Sequence, residues 1–349
     1  MNLPHKIQQK GTKGTKRERS VTCRSKCFLS PFALRFLCFL LLICLAFGSR
    51  ALADNSRSLV LVIGAAGESE YGEQFTASAD LWKRAGTNGG FQISVIGEGT
   101  GGDSDRGQLL TVLTNEIARP ADELWLVFIG HGTFDGRAAK FNLRGPDIAA
   151  DELAAVLKPC KRPLAVINCA EASSPFINAL SAPGRVIITA TRSGYEVNAT
   201  RFGNYMARDV ADPAADLDKD GQTSLLEAFL MASRQVGEFY KEAGRLETEH
   251  ALLDDNGDGL GTPVDWFVGV RAVKKAANGK SVDGVHANQM HLVRSATEQE
   301  LSPQLRARRD ELEAQLSALR DRKSQMKEDD YYNQLEKILV PMAKLYEAK

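Results

Sequence analysis

Short apolar runs alternate with segments of helical periodicity through the middle of the chain. The runs are rich in Val, Ile and Leu without regular polar alternation, as is typical of strands covered on both faces of a parallel sheet. The predicted strands are Leu59–Ile63, Phe91–Ile96, Leu124–Ile129, Leu164–Asn168 and Arg185–Ala190, and the helices between them are Thr76–Ala85, Gln108–Ala118, Asp151–Leu157 and Pro175–Leu180. Strands and helices in this alternation predict an α/β domain with a mainly parallel sheet over residues 58–212.

The pattern changes beyond this domain. A helix over Phe202–Val210 leads into an acidic loop, and a longer helix over Leu225–Glu247 precedes a second acidic loop. Residues 213–267 are therefore interpreted as a helical segment packed on the domain. Residues 268–298 carry little periodicity and are predicted to be a linker.

Apolar residues recur every seven positions in the charged, helical segment 299–349. The repeat comprises Leu305, Leu312, Leu319 and Met326. Such a repeat is typical of a coiled coil. Residues 301–349 are predicted either to bind a partner helix or a second copy of the chain, or to form a solvated, semi-independent helix.

Residues 1–53 have the three parts of a secretory signal. A basic region ends at Arg35, a short apolar run covers Phe36–Phe47, and Ala51-Leu52-Ala53 offers small residues for cleavage. The run is shorter than the roughly 20 residues that a membrane span needs. We therefore predict an exported protein, periplasmic or extracellular, that is not membrane-bound after cleavage.

Removal of this signal makes the chain acidic. It takes ten Lys and Arg residues and one acid from totals of 44 and 44, which leaves 34 bases and 43 acids, a balance of −9. An acidic chain without a basic stripe does not suit a phosphate backbone, so nucleic acid is excluded as a partner.

Two of the six cysteines remain in the mature chain, Cys160 and Cys169. The strand predicted between them is about 20 Å long at 3.3 Å per residue. A disulfide requires Cα atoms within about 7 Å of each other. Cys169 is therefore predicted to be a free thiol.

The first acidic loop matches the twelve-residue EF-hand calcium loop. Its oxygen ligands would be Asp216, Asp218, Asp220, Gln222 (through its carbonyl) and Glu227, with Gly221 at the turn and Ser224 at position nine. The alternative is an acidic, solvated turn. At the millimolar calcium levels outside cells, such a site would be structural.

The second acidic loop matches less completely. Asp254, Asn256 and Asp258 occupy ligand positions, and Asp265 stands where a Glu normally closes the site. A weaker second calcium site and a Gly-rich turn are equally good interpretations.

A histidine and a cysteine each follow a predicted strand directly. His131 stands in Gly130-His131-Gly132 after one strand, and Cys169 follows the next. Since parallel strands end at one edge of the sheet, the imidazole and the thiol would face one cleft. The imidazole could move the proton of a nucleophilic thiol, and the N–H groups of Gly132 and Cys169 could bind an oxyanion. The alternative is a buried core cysteine beside a structural histidine.

A strand followed by His-Gly, and then a strand followed by Cys, resembles the legumain–caspase group of cysteine peptidases, most closely its legumain branch. The resemblance covers residues 58–212 and implies a caspase-like three-layer α/β/α sandwich that cleaves peptide or protein substrates. His131 would be the acid/base of a cysteine endopeptidase and Cys169 its nucleophile. Thr191–Glu196 falls where the group builds part of the pocket for the residue before the cleaved bond (P1).

The candidate pocket residues are Asn168, Arg192, Ser193 and Glu196. The group usually has an acid or Gln and then Ala before the cysteine, and Ile167-Asn168 stands there in this chain, so the resemblance implies that Asn168 alters the pocket wall. The positive charge of Arg192 predicts a preference for an acidic P1 residue. The departure also leaves open an inactive, calcium-binding scaffold that holds a protein partner through its C-terminal helix. A peptidase needs an accessible thiol of low pKa, and a scaffold does not.

Gly97-Glu-Gly99-Thr-Gly-Gly102 matches a dinucleotide-binding motif after a strand. Asp103 and Asp105 follow it directly, and their carboxylates would repel a pyrophosphate at the start of the next helix. The segment is interpreted as a flexible loop, and no organic cofactor is expected.

Overall fold

The computed structural model describes residues 57–99, 104–119, 122–274, 276 and 280–347. The predicted signal, residues 1–53, lies outside the described residues. The strands are β1 (Ser58–Ile63), β2 (Gln92–Ile96), β3 (Leu124–Ile129), β4 (Gly132–Phe134), β5 (Ala139–Phe141), β6 (Ile148–Ala149), β7 (Leu164–Asn168), β8 (Arg185–Thr189), β9 (Leu252–Asp254), β10 (Thr262–Pro263), β11 (Phe267–Val268) and β12 (Arg271–Ala272). The helices are α1 (Ser69–Asn88), α2 (Asp105–Ala118), α3 (Ala150–Leu157), α4 (Pro175–Leu180), α5 (Phe202–Asp209), α6 (Leu225–Glu242), α7 (Val285–Gln289), α8 (Ala296–Glu300), α9 (Pro303–Asp321) and α10 (Glu328–Glu347).

A seven-stranded sheet in the order β10-β9-β8-β7-β3-β1-β2 forms the centre of the described chain. The five strands from β8 to β2 are parallel, and β9 and β10 are added antiparallel at one edge. The predicted α/β class with a mainly parallel sheet is confirmed, and each of the five predicted strands is present.

Helices cover both faces of the sheet because its strands are apolar on both sides. In β1, Leu59 and Leu61 pack with α1, α5 and α6, whereas Val60 and Val62 pack with α2, α3 and α4. We call these the α1 face and the α2 face. The result is a three-layer α/β/α arrangement with one apolar core on each side of the sheet.

Helix α6 ends five residues earlier than the sequence predicted. Gly244 follows the helix with φ = +61°, and its N–H donates to the carbonyl of Lys241. A glycine in the left-handed region is a common helix terminator because it has no Cβ to clash.

The linker predicted over residues 268–298 is wrong. This stretch contains helix α7 and all but the first residue of the β11–β12 hairpin, and Ala287 and Leu292 are completely buried. The Leu225 N–H donates to the Met290 carbonyl over 2.7 Å. Because the helix is only five residues long, it shows no periodicity in the sequence.

The predicted single C-terminal helix is a helical hairpin. Helices α9 and α10 are joined by a turn at Lys323–Gln325, and Leu312 and Leu319 pack against Tyr331 and Ile338. The heptad leucines therefore find their apolar partner within the chain. Binding of a second chain through residues 301–349 stays a prediction.

None of the helices in the described residues is long and apolar enough to cross a membrane.

We expect Leu312→Ala to lower the free energy of unfolding by about 2–5 kcal/mol, since it empties a buried site between two helices. Leu339→Ala, in the same hairpin at a position that is 42% exposed, is the control and should cost less than about 0.5 kcal/mol. Urea denaturation followed by far-ultraviolet circular dichroism measures both. Equal losses would contradict the packing of the hairpin.

Candidate active site

The strands that carry the histidine and the cysteine are neighbours, as predicted. Strand β3 pairs with β7 in parallel, with Phe128 opposite Asn168. His131 and Cys169 follow these strands and line one small cavity at their carboxyl ends, together with Tyr71 and Gly203. The imidazole and the thiol are thus brought together at the sheet edge.

Both side chains lie on the α1 face. Ile129 of β3 and Ile167 of β7 belong to the core on this face, and alternate residues of a strand share a face. His131 and Cys169 come two residues after them. The row of core-facing residues on each strand thus continues into His131 or Cys169.

The turn into His131 requires a residue without a side chain. A Cβ on Gly130 would lie 2.9 Å from the Cα of Gly64 and 2.8 Å from the Phe141 ring. The chain after β3 therefore packs directly on the chain after β1, which only glycine permits.

His131 is bound to Glu171 within the cleft. Its Nδ1 lies 2.9 Å from Oε1 of Glu171, and the rings of Tyr71 and Phe75 meet the imidazole edge-on at 4.7 and 5.1 Å. The hydrogen bond to Glu171 is the main cause that raises the pKa of His131, and a hydrogen bond to the backbone of Ala66 adds to it. This environment favours the protonated imidazolium.

Cys169 is buried, contrary to the accessible thiol that a peptidase requires. The residue is 4% exposed, and burial raises the pKa of its thiol to about 12. A Cβ on Gly203 would lie 2.6 Å from the cysteine Cβ, so α5 begins in direct contact with it. The Thr200 hydroxyl donates to the Cys169 carbonyl. In this conformation the thiol is protonated and covered.

The structure contradicts the oxyanion role predicted for the Cys169 N–H. That group donates to the Phe128 carbonyl over 3.0 Å, which extends the β3–β7 pairing by one residue. Gly132 is closely packed, since a Cβ there would lie 2.4 Å from the Glu171 carbonyl oxygen. An oxyanion formed from a substrate carbonyl would therefore need an N–H donor other than that of Cys169.

Asn168 does not form a pocket wall as predicted. It is 1% exposed, and its Oδ1 accepts the Ala170 N–H, so it shapes the turn after β7. The Ser193 hydroxyl likewise stabilises a local turn, because it accepts a hydrogen bond from the Tyr195 N–H.

The other two pocket candidates bind each other. Nε of Arg192 lies 3.3 Å from Oε1 of Glu196, and the same oxygen lies 2.6 Å from Nδ1 of His250. Arg192 and His250 line a cavity of about 570 Å³ on the α1 face, between β8 and α6. Because Arg192 is already paired with Glu196, its charge no longer predicts a preference for an acidic P1 residue.

An open groove reaches the other side of His131. Its walls come from the segments after β1, β3, β7 and β8, and include Glu68, Gly132, Glu171 and Val197. This is the edge of a parallel sheet where ligands bind. Glu171 lines both the groove and the thiol cavity, and sequence reasoning missed it.

The first acidic loop brings its carboxylates together. Ligand oxygens of Asp216, Asp218 and Glu227 lie within 4.8 Å of one another, the only such group of His, Cys, Asp or Glu in the part of the chain that the structure describes. The pKa of Asp218 is raised to about 6, first by desolvation and then by Glu227 and Asp220. Ser224 caps α6 through a reciprocal capping box with Glu227. Concentrated negative charge of this kind suits a hard cation.

The second loop lacks its predicted closing ligand. The Asp265 side chain is 67% exposed and pairs with Lys274 at 3.3 Å. Asp254 instead accepts the N–H groups of Gly257 and Gly259. This arrangement is that of the Gly-rich turn, the alternative interpretation.

No family model and no curated protein match this sequence. Similar solved structures include the initiator caspase Dronc of Drosophila, with 16% identity and a TM-score of 0.42 over 59% of this chain and 82% of that chain. Caspase-1 from Spodoptera frugiperda has 10% identity and a TM-score of 0.39 over 58% and 86%. Protein GSU0716 from Geobacter sulfurreducens has 12% identity and a TM-score of 0.36 over 52% and 89%. At TM-scores below 0.5, the function has to be inferred from the residues of this chain.

We expect iodoacetamide to label Cys160 at least about tenfold faster than Cys169 near neutral pH, because Cys160 is half-buried and Cys169 is buried and protonated. Mass spectrometry of the two tryptic peptides measures the rates. In urea the difference should disappear. Faster labelling of Cys169 in the folded protein would contradict its covered state.

Proposed function

We propose that this chain is a cysteine-type endopeptidase of the caspase-like group, with Cys169 as the nucleophile and His131 as the acid/base. The observation that carries the proposal is the shared cavity at the ends of β3 and β7, which the imidazole and the thiol enter from the same face of the sheet. The adjoining groove supplies room for an extended peptide.

The reaction follows from these two groups. The thiol proton passes to His131 as sulfur bonds to the substrate carbonyl carbon. His131 then protonates the leaving amine as the peptide C–N bond breaks and a thioester remains. Water, deprotonated by the same imidazole, hydrolyses the thioester and restores the thiol.

The conformation described here fits a resting state of such an enzyme. Segment 199–204 covers Cys169, and the Glu249 carboxylate anchors it by accepting the N–H groups of Arg201 and Phe202. A peptide carbonyl reaches the sulfur only if this segment moves. Catalysis would therefore include a conformational step before the attack.

The second candidate is the inactive scaffold. The burial of Cys169 favours it, because a core cysteine needs no access to solvent. The C-terminal hairpin supplies a surface for a partner, since Tyr332, Leu339 and Val340 remain exposed. Hydrolysis, or its absence, separates the two candidates.

We expect Cys169→Ala to abolish peptide hydrolysis and His131→Ala to lower kcat by about 10²–10⁴-fold, the usual contribution of an acid/base. Cys160→Ala removes the other described thiol and should leave the rate unchanged. A peptide library read by mass spectrometry supplies the assay. Cleavage by Cys169→Ala would show that the nucleophile is another group, and no cleavage by the parent would favour the scaffold.

We also propose that the loop from Asp216 to Glu227 binds a structural calcium ion, in a protein exported by its N-terminal segment. The three gathered carboxylates support the ion site. Substitution of Asp216 or Glu227 would disturb the loop even without calcium, because both accept backbone N–H groups within it. Asp218 accepts only the N–H of Asp220 and is the better test.

We expect calcium to raise the melting temperature of the parent, by the equivalent of about 2.7 kcal/mol at 100 times its dissociation constant. Asp218→Asn should lose this rise while melting no lower than the parent in chelator, since it relieves carboxylate repulsion. Asp265→Asn, the control, should keep the rise because Asp265 pairs with Lys274. An equal calcium response in Asp218→Asn would contradict the site.

A further inference from the structure

We propose that the groove beside His131 binds an extended, apolar peptide as a further strand on the free edge of β4. The choice of a peptide as the ligand rests on the proposed function, and what is new is the manner of binding and the class of side chain. Three features of the groove support this: the backbone of β4, the exposed apolar residues beside it and the charge of its walls.

Strand β4 has a neighbouring strand on one side only. The small sheet runs in the order β4-β5-β6, so β5 covers one edge of β4 and no strand of the described chain covers the other. The Asn142 N–H donates to the His131 carbonyl just before β4, and the Asp135 N–H donates to the Ala138 carbonyl just after it. Since hydrogen-bonded and non-hydrogen-bonded pairs alternate along an antiparallel ladder, the backbone of Thr133 also points to β5.

The backbone groups of Gly132 and Phe134 therefore point away from β5. Among the described residues, neither their N–H groups nor their carbonyls take part in a hydrogen bond outside the β4–β5 pairing. All three residues of β4 line the groove, so these groups are within reach of a ligand there. Two such residues, about 6.8 Å apart along a strand, offer donors and acceptors in the spacing that an extended peptide matches when it adds to a sheet edge.

Two of the exposed large apolar side chains lie beside this edge. Val197 lines the groove and is 62% exposed, and Tyr195 is 74% exposed with its ring centroid 5.3 Å from that of Phe134. The segment that carries them is held in place, because the Ala172 N–H donates to the Glu196 carbonyl over 2.8 Å. Covering such side chains with an apolar ligand is favourable. Since alternate residues of a strand share a face, the peptide should be apolar at every second position.

The charge of the groove disfavours acidic peptides. Glu68 and Glu171 line it, and none of the described Lys and Arg residues does. The Glu171 carboxylate is paired with His131, whereas Glu68 is exposed and makes no capping hydrogen bond to α1. A carboxylate in this position repels an acidic residue of the ligand and attracts a basic one. The expected ligand is therefore an apolar peptide that is neutral or basic.

The test is the binding of a short fluorescein-labelled peptide, in which Phe alternates with Ser before a C-terminal Lys, measured by fluorescence anisotropy. The full chain carries Cys169→Ala, so that hydrolysis does not consume the peptide. We expect the further substitution Val197→Asp to weaken binding at least about tenfold, because it removes an apolar contact and adds a carboxylate to an acidic groove. Val268→Asp places the same charge at a valine that is 68% exposed and does not line the groove, and should leave the affinity unchanged. Equal affinities of the two variants would overturn the proposal.

A second measurement needs no substitution in the groove. The N–H groups of a strand point alternately to its two sides, so methylation of every second amide nitrogen removes either the donors that face β4 or those that face away. Of two isomeric peptides, methylated at the odd or at the even amides, we expect one to bind at least about tenfold more weakly than the other. Equal affinities of the isomers would exclude strand addition. Absence of binding by the unmethylated peptide also overturns the proposal, and a dimer that Val197→Asp dissociates would then identify a second copy as the occupant.

Failure of the peptide groove and failure of the peptidase are distinguishable. If the parent hydrolyses peptides and Val197→Asp changes neither binding nor cleavage, strand addition at β4 is wrong and the peptidase proposal stands. If the alternating peptide binds as expected and the parent hydrolyses no peptide, the groove is a peptide-binding site and the peptidase proposal fails.

Discussion

Parallel pairing of β3 with β7 is the constraint on which the candidate site depends. The register places Phe128 opposite Asn168, so both strands stop at the same edge of the sheet. One further hydrogen bond, from the Cys169 N–H to the Phe128 carbonyl, continues the pairing beyond the last strand residue. The same bond gives Cys169 the orientation of a strand residue and removes its N–H from any oxyanion site. The pairing thus fixes the position of the thiol and the direction of its side chain.

That orientation explains why a cysteine at a sheet edge has the environment of a core residue. Ala165, Ile167 and Cys169 form one row on the α1 face. The row is covered by the start of α5, where Gly203 lets the backbone approach the sulfur. Desolvation then raises the thiol pKa. Catalysis by Cys169 requires the segment that covers it, residues 199–204, to move. An inactive scaffold requires no such movement.

The sequence predicted the elements whose signal is local or repeated. Buried parallel strands are continuous apolar runs, so β3 and β7 could be placed, and with them His131 and Cys169. Glu171 could not be predicted, because its position depends on a left-handed conformation at Ala172 that alanine does not signal. The break between α9 and α10 has no proline or glycine, and the seven-residue repeat runs through it to Met326. The turn is evident only in the structure, where Leu319 of α9 packs against α10.

The acidic loop and the thiol belong to one continuous set of contacts on the α1 face. Ser224 and Glu227 cap α6 at the end of the loop. Phe229 of that helix packs on Phe202 at 6.3 Å between ring centroids, and the next residue, Gly203, lies on Cys169. A cation that stabilises the start of α6 therefore also stabilises the support of the segment that covers the thiol. A calcium ion at the proposed loop would thus act on the same layer of helices that covers the thiol, because the helix it would stabilise packs on the covering segment.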